Sequence, residues 1–401
     1  MHLKRTIYNA NIVTPTEVIK QGSIVIEGNS ITKIYRGNPT NVQSVDINAS
    51  GKWVIPGLID SHSDAIEMEL EPRPNSNVPM EISFYELEKK LVGEGITTIY
   101  HSLSLLEDNA NKWIRRTDTA LQMIRDIKRL SIGQHLIRHK THLRYEITNL
   151  SAFEEVKQMI RDHQIDQLSF MDHTPGQGQF RDLEVHKHFL MAHRHHTEEA
   201  AEQLIQESKK QKKLDPEALQ KLANLAHDYH IPIASHDDDT VEKLSLVKDW
   251  NAQISEFPIE LEVAKKAKEM GLFVVMGAPN ALLGKSHSNN LSALEAVKHN
   301  AVDMFCSDYY PSSLLHTTFK LYHQGMPLHQ AVNMVSLNPA KALNISDQLG
   351  SIEIGKDADI LLISEDGKRP VIETVMVKGK VICEMNYQLP VKEEELSTSN
   401  V

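Results

Sequence analysis

Between residues 53 and 345 the chain repeats one pattern: a short apolar run, a polar break, a longer helical stretch, and then another apolar run. Such alternation calls for βαβ units, in which a crossover helix carries each strand to its parallel neighbour. The apolar runs end at Asp60, His101, Ile147, Met171, Ser235, Phe257, Gly277 and Ser307. Eight strands in about 250 residues match the count and span of an α/β fold of the TIM type, a (β/α)8 barrel. A doubly wound open sheet is the rival, but no Gly-x-Gly-x-x-Gly follows an early strand, which disfavours a dinucleotide fold.

The flanks read differently. Gly22-Ser-Ile-Val-Ile-Glu-Gly28 alternates and Ile31-Thr-Lys-Ile-Tyr35 resumes after a turn, while Ile360-Leu-Leu-Ile363 and Val375–Cys383 repeat that style near the other end. The expected organisation is a small β-sandwich domain built from residues 1–52 and 346–401, the latter including a tail, around a barrel over residues 53–345. A length of 401 residues suits one large domain with a smaller companion. A long helical connector spans about residues 178–230, and a lid or an oligomer contact would each suit it.

Net charge is −11, which argues against nucleic acid or an anionic membrane as partner. No signal-peptide core and no apolar run of membrane-spanning length is present, so a soluble, cytoplasmic protein is expected. Histidine, at 21, outnumbers glycine, at 18, and the only cysteines are Cys306 and Cys383. Any metal would therefore be held by imidazole and carboxylate.

In a barrel, catalytic groups sit at the C-terminal ends of strands. The first run ends in His62-Ser-Asp64, whose two side chains point the same way on a strand and can grip one cation. Glu146, His173, His236 and Asp308 stand at later strand ends. Six acid or imidazole groups crowded at one rim would be costly without a cation. Two divalent ions account for them economically, with Glu146 as the bridge and Asp308 as the base that takes a proton from water. Zn, Mn, Fe or Ni would each suit such a mixed donor set.

Asp172, Asp237, Asp238 and Asp239 are expected to orient neighbouring imidazoles or form turns. Cys306 reads as a small buried side chain, and the histidines between His186 and His196 read as the solvated face of a polar helix. After the seventh strand, Gly284, Lys285, Ser286, His287 and Ser288 carry the parts of an anion-binding loop, although an ordinary polar loop is the rival. Gly277 is too far from Lys285 for a Walker loop. Arg73 and Arg144 are further candidates to meet phosphate, with an internal Arg144–Glu146 salt bridge as the alternative for Arg144.

These residues resemble the amidohydrolase superfamily and, within it, the PhnM group, the alpha-D-ribose 1-methylphosphonate 5-triphosphate diphosphatases of phosphonate catabolism. The resemblance is carried by His62-Ser-Asp64, His142-Leu-Arg-Tyr-Glu146, Met171-Asp-His-Thr-Pro-Gly-Gln177, Ala234-Ser-His-Asp-Asp238, Met276-Gly-Ala-Pro-Asn280 and Ser307-Asp-Tyr-Tyr-Pro311. It departs from the group at Asn289 and Ala65, where Gly and Asn are common. What it implies is a metal-dependent hydrolase that releases pyrophosphate from a ribosyl phosphonate triphosphate by attack of metal-bound hydroxide at the α-phosphorus. C–N bond hydrolysis, as in deacetylases or cyclic amidases, is the alternative activity. A homodimer is compatible with helices that lie outside a barrel.

Overall fold

The computed structural model describes residues 4–39, 41, 43–107, 112–194, 197–284 and 290–386. Eight parallel strands form its centre: Leu58–Ser63, Ile96–Leu105, Arg138–Glu146, Gln167–Met171, Ile233–His236, Ile254–Glu256, Phe273–Gly277 and Met304–Cys306. They neighbour one another in sequence order, as right-handed crossovers through an outer helix layer require. The last strand closes onto the first just beyond their ends. Ser63 and Asp308 form a parallel bridge, Asp308 N donates to His62 O at 3.0 Å, and Asp64 N donates to Asp308 O at 2.6 Å. The seam of the barrel is therefore built around His62, Asp64 and Asp308, three of the candidate residues of the sequence reading.

The helices follow from local chemistry. Pro216–Asp228, for example, starts at Asp215, whose side chain accepts from Ala218 N at 2.7 Å, with Pro216 in the first turn where no amide is needed. Leu219, Leu222, Ala223 and Ala226 then fall on one buried face. Each leucine so buried contributes roughly 1.5–3 kcal/mol.

Both ends of the chain meet in a second sheet, also of eight strands. Trp53–Pro56 runs antiparallel to Ile360–Asp366 on one side and pairs with Lys4–Val13 on the other. The small sheet thus takes in residues 53–56, which the sequence reading assigns to the barrel. The sheet curls around its own core of Ile7, Ile12, Ile24, Ile360 and Leu362. Its turns touch where a Cβ at Gly379 (φ +70°) would lie 2.4 Å from Gly28 O, so only glycine fits.

The connector of the sequence reading is three helices, Leu183–Arg194, Glu198–Ser208 and Pro216–Asp228. Its His-rich tract is not uniformly solvated. His186 is buried and stacks on Phe180 at 4.0 Å, and Lys187 is buried against Glu184, Glu198 and Glu202, whereas His188 is exposed. His195 and His196 lie outside the described residues.

Candidate active site at the barrel rim

Glu256 ends the sixth strand inside the barrel, fully buried. One carboxylate oxygen lies 3.2 Å from His62 Nδ1 and the other 3.2 Å from His236 Nδ1, while Ser169 Oγ and Gln167 Nε2 donate at 2.7 and 3.2 Å. Burial pushes its pKa up, but His142, His62 and His236 outweigh this and hold it well below the ordinary carboxylate range. For His62, burial lowers the pKa and the Glu256 charge more than restores it, so the net shift is upward. The two rings lie nearly parallel, 5.7 Å apart. In the neutral tautomer that donates Nδ1–H to Glu256, each ring turns its Nε2 lone pair to the cavity at the strand ends.

That cavity, about 280 Å³, is lined by His62, Asp64, Arg115, Arg144, His236, Asp237, Asn280 and Asp308 among others. Arg144 does not pair with Glu146, although the two share a strand face. Its guanidinium donates to His236 Nε2 at 2.9 Å and lies 3.4 Å from Asp64 Oδ1. Arg115, on the turn Trp113–Arg115, donates to Asp64 Oδ2 at 2.8 Å and to Glu67. Burial would raise the pKa of Asp64, but Arg144 and Arg115 pull it down to about 2. Below the rim Asp60 is fully buried, and despite the Ser307 amide at 3.0 Å its pKa is pushed up to about 6.

Glu146 ends the third strand and engages His173 with both oxygens, accepting from its backbone N at 3.0 Å and lying 2.6 Å from Nδ1. It stands behind His173 as Glu256 stands behind His62 and His236. His173 Nε2 and His236 Nε2 lie 3.8 and 3.7 Å from Asp237 Oδ2. A tetrahedral ion at roughly 2.0–2.1 Å from its ligands would separate them by about 3.4 Å, so a small closure lets these three hold a divalent metal. Deeper in, His62, His142 and Glu256 also converge. His142 is fully buried, its pKa lowered to about 3 by burial, and its Nε2 has no hydrogen-bond partner among the described residues. The donor set therefore fits divalent cations.

Of the residues singled out in the sequence, His62, Asp64, Arg144, His236 and Asp308 line one cavity, with His173 and Glu146 beside it. Arg73 is exposed in a turn and does not line it. Lys285, Ser286 and His287 lie outside the described residues. Asp172 pairs with Lys213 at 2.7 Å, Asp238 accepts from Ser235 and Ser255, and Asp239 accepts from Gly178 N. Cys306 is fully buried.

Glu256, His142 and Arg115 are not read from the sequence as site residues, and Asp237, expected to orient an imidazole or form a turn, faces the Nε2 atoms of His173 and His236. His142 carried a signal, since it shares a strand face with Arg144 and Glu146. Glu256 did too, as an acid closing a short apolar strand. Nothing local marks Arg115, which reaches Asp64 only through the packing of its turn.

A model described as the amidohydrolase family matches residues 53–382. The chain is 28% identical over 380 residues to the alpha-D-ribose 1-methylphosphonate 5-triphosphate diphosphatase of Escherichia coli (strain K12), covering 93% of this chain and 99% of that protein. It is 23% identical to a 5'-deoxyadenosine deaminase of Methanobrevibacter smithii, covering 97% and 95%. Among solved structures, a Xaa-Pro dipeptidase with bound methionine in its active site superposes with a TM-score of 0.65 at 17% identity, covering 96% of this chain and 100% of that one. At that identity the likeness speaks for the fold alone.

Proposed function

The chain belongs to the amidohydrolase family, and from that premise we propose that it is a cytoplasmic diphosphatase cleaving alpha-D-ribose 1-methylphosphonate 5-triphosphate to the 5-phosphate and pyrophosphate. The observation that carries this reading is one cavity at the strand ends that gathers imidazoles and carboxylates able to hold cations together with two arginines able to meet phosphate. Similarity to the E. coli diphosphatase along nearly the whole of both chains supports the substrate.

His62, Asp64, His173, His236, Asp237 and Asp308 would hold two divalent ions, Asp237 taking the place that the sequence reading gives to Glu146, whose two oxygens are engaged with His173. Such ions, when bound, make water a nucleophile near neutral pH and polarise a phosphoryl oxygen. Glu256 and Glu146 keep the imidazoles in the tautomer that presents Nε2. Asp308, at the seam between the last strand and the first, accepts the proton of the water that attacks the α-phosphorus. Arg144 turns from His236 to a phosphoryl oxygen, and Arg115 neutralises a second. Lys285, Ser286 and His287 are assigned to the departing pyrophosphate, and Arg73, exposed in a turn away from the cavity, is not. A net charge of −11 repels a triphosphate at long range, so these local cations must dominate.

Product analysis by phosphorus NMR tests this. Pyrophosphate and a 5-phosphate are expected from the ribosyl triphosphate, and three orthophosphates or no turnover by the metal-loaded protein would refute it. The deaminase that matches along 97% of the chain favours C–N hydrolysis as a second reading. Ammonia release from 5'-deoxyadenosine, without pyrophosphate release from the triphosphate, would establish that alternative.

A further inference from the structure

We propose that Glu88, His135 and His139 form a second cation site, on the flank of the barrel, that takes Zn²⁺ or a similar divalent transition metal through two imidazoles and one carboxylate. Glu88 comes from the helix Met80–Gly93, and the histidines from the segment entering the third strand. Glu88 Oε1 lies 3.2 Å from His135 Nδ1 and 3.3 Å from His139 Nε2. Those separations are close to the roughly 3.4 Å edge of a tetrahedral zinc site.

The orientation of His135 distinguishes a cation site from a hydrogen-bonded network. Its side chain is 9% exposed, yet neither ring nitrogen has a hydrogen-bond partner among the described residues. Nδ1 is near Glu88 Oε1 without the alignment of a hydrogen bond. Ligand lone pairs aimed at a common ion produce that arrangement, because they converge on a point and not on one another. A neutral network would account for His139 and Glu88 but would leave both nitrogens of a buried imidazole idle.

The surroundings are those of a structural metal site. His139 Nδ1 lies 2.9 Å from His101 Nε2, and in the tautomer with the proton on His139 Nδ1 this hydrogen bond leaves Nε2 to a cation in place of its 3.3 Å contact with Glu88 Oε1. Glu88 Oε1 also accepts from the amides of Leu136 and Ile137 at 2.7 and 3.3 Å, which fixes the oxygen that faces the two imidazoles. Phe84 packs 4.2 Å from the His139 ring and Tyr85 stacks over His135. A cation there would tie the helix to the incoming strand. Imidazole-rich ligation selects zinc-like metals over magnesium or calcium.

The test compares His173→Ala/His236→Ala, which cripples the rim, with the same variant carrying His135→Asn in addition. Both are stripped with chelator, dialysed against zinc sulfate and analysed for bound zinc. The triple variant should hold one zinc per chain fewer, and only the double variant should gain thermal stability on adding zinc. Equal zinc content and equal stability gain would overturn the site. Should the variants not fold, anomalous scattering at the zinc edge from crystals of the unaltered protein decides it. A peak between Glu88, His135 and His139 supports the site, and peaks at the rim alone refute it.

Discussion

His139 and His142 stand three residues apart on one strand, and an odd separation sends them to opposite faces. His142 enters the barrel and meets Glu256, while His139 faces the helix layer and meets Glu88. Each cluster is a buried carboxylate ringed by imidazoles. They differ in what lies beyond the rings. At the rim, His62 and His236 turn Nε2 into a cavity of about 280 Å³. On the flank, Phe84 and Tyr85 close the space. Charge does not divide them so cleanly, since burial lowers the pKa of His142 and His236 at the rim as it does that of His139 on the flank, and His62 is the exception. Glu256 raises the pKa of His62, whereas burial holds His101 well below the ordinary histidine value of 6.5. The same residue types thus differ in whether a ring nitrogen faces an open cavity or packed aromatic side chains.

The largest separation of the two clusters should come from Glu256→Gln, which removes the charge that orients two rim imidazoles. Activity or rim metal affinity should fall about 100-fold, equivalent to about 2.7 kcal/mol. Steady-state kinetics with a metal titration measures it, and a loss below threefold would show that Glu256 does not orient the site. Next, Glu88→Gln should lower the unfolding free energy by about 2 kcal/mol, because a charge accepting from two amides is lost. Urea melts of the apo protein check that cost.

The smallest effect is one of pH. His101 and His139 both have pKa values lowered by burial, so below about pH 6.5 the unfolded chain binds protons that the folded one refuses. Their contribution is intact above pH 6.5 and is lost as pH falls, by up to about 1.4 kcal/mol per pH unit for each histidine. In metal-free protein, His101→Gln should flatten that slope. An unchanged slope would mean that the flank histidines are not neutral in the native state.

From the third strand to the eighth, the sequence places every strand end within one residue of the structure, because apolar runs there stop where polar rim residues begin. The first two strands run on to Ser63 and Leu105, past the expected Asp60 and His101. Ser61-His-Ser63 and His101-Ser-Leu-Ser104 look like loop, yet every one of these side chains is buried in the barrel wall. Glu256 belongs to a stretch, Glu256-Phe-Pro258, that the sequence marks as shared with the family, but a three-residue strand gives too little periodicity to assign it a role. The flank cluster depends on where the helix Met80–Gly93 docks, which periodicity along the strand does not specify. Arg144 was legible as a cation near the site, but its pairing with His236 and Asp64 was not, since its partners come from other strands.

The small sheet has a consequence for the order in which the chain can fold. Trp53 Nε1 donates to Glu365 Oε2, 312 residues away, and the strand Trp53–Pro56 gains a neighbour on that side only when Ile360–Asp366 arrives. During synthesis the early hairpins therefore wait with Ile7, Ile12 and Ile24 uncovered and one strand edge open, the condition under which nascent chains associate wrongly. Arrival of Ile360–Asp366, more than closure of the barrel, is therefore the step expected to cover this core.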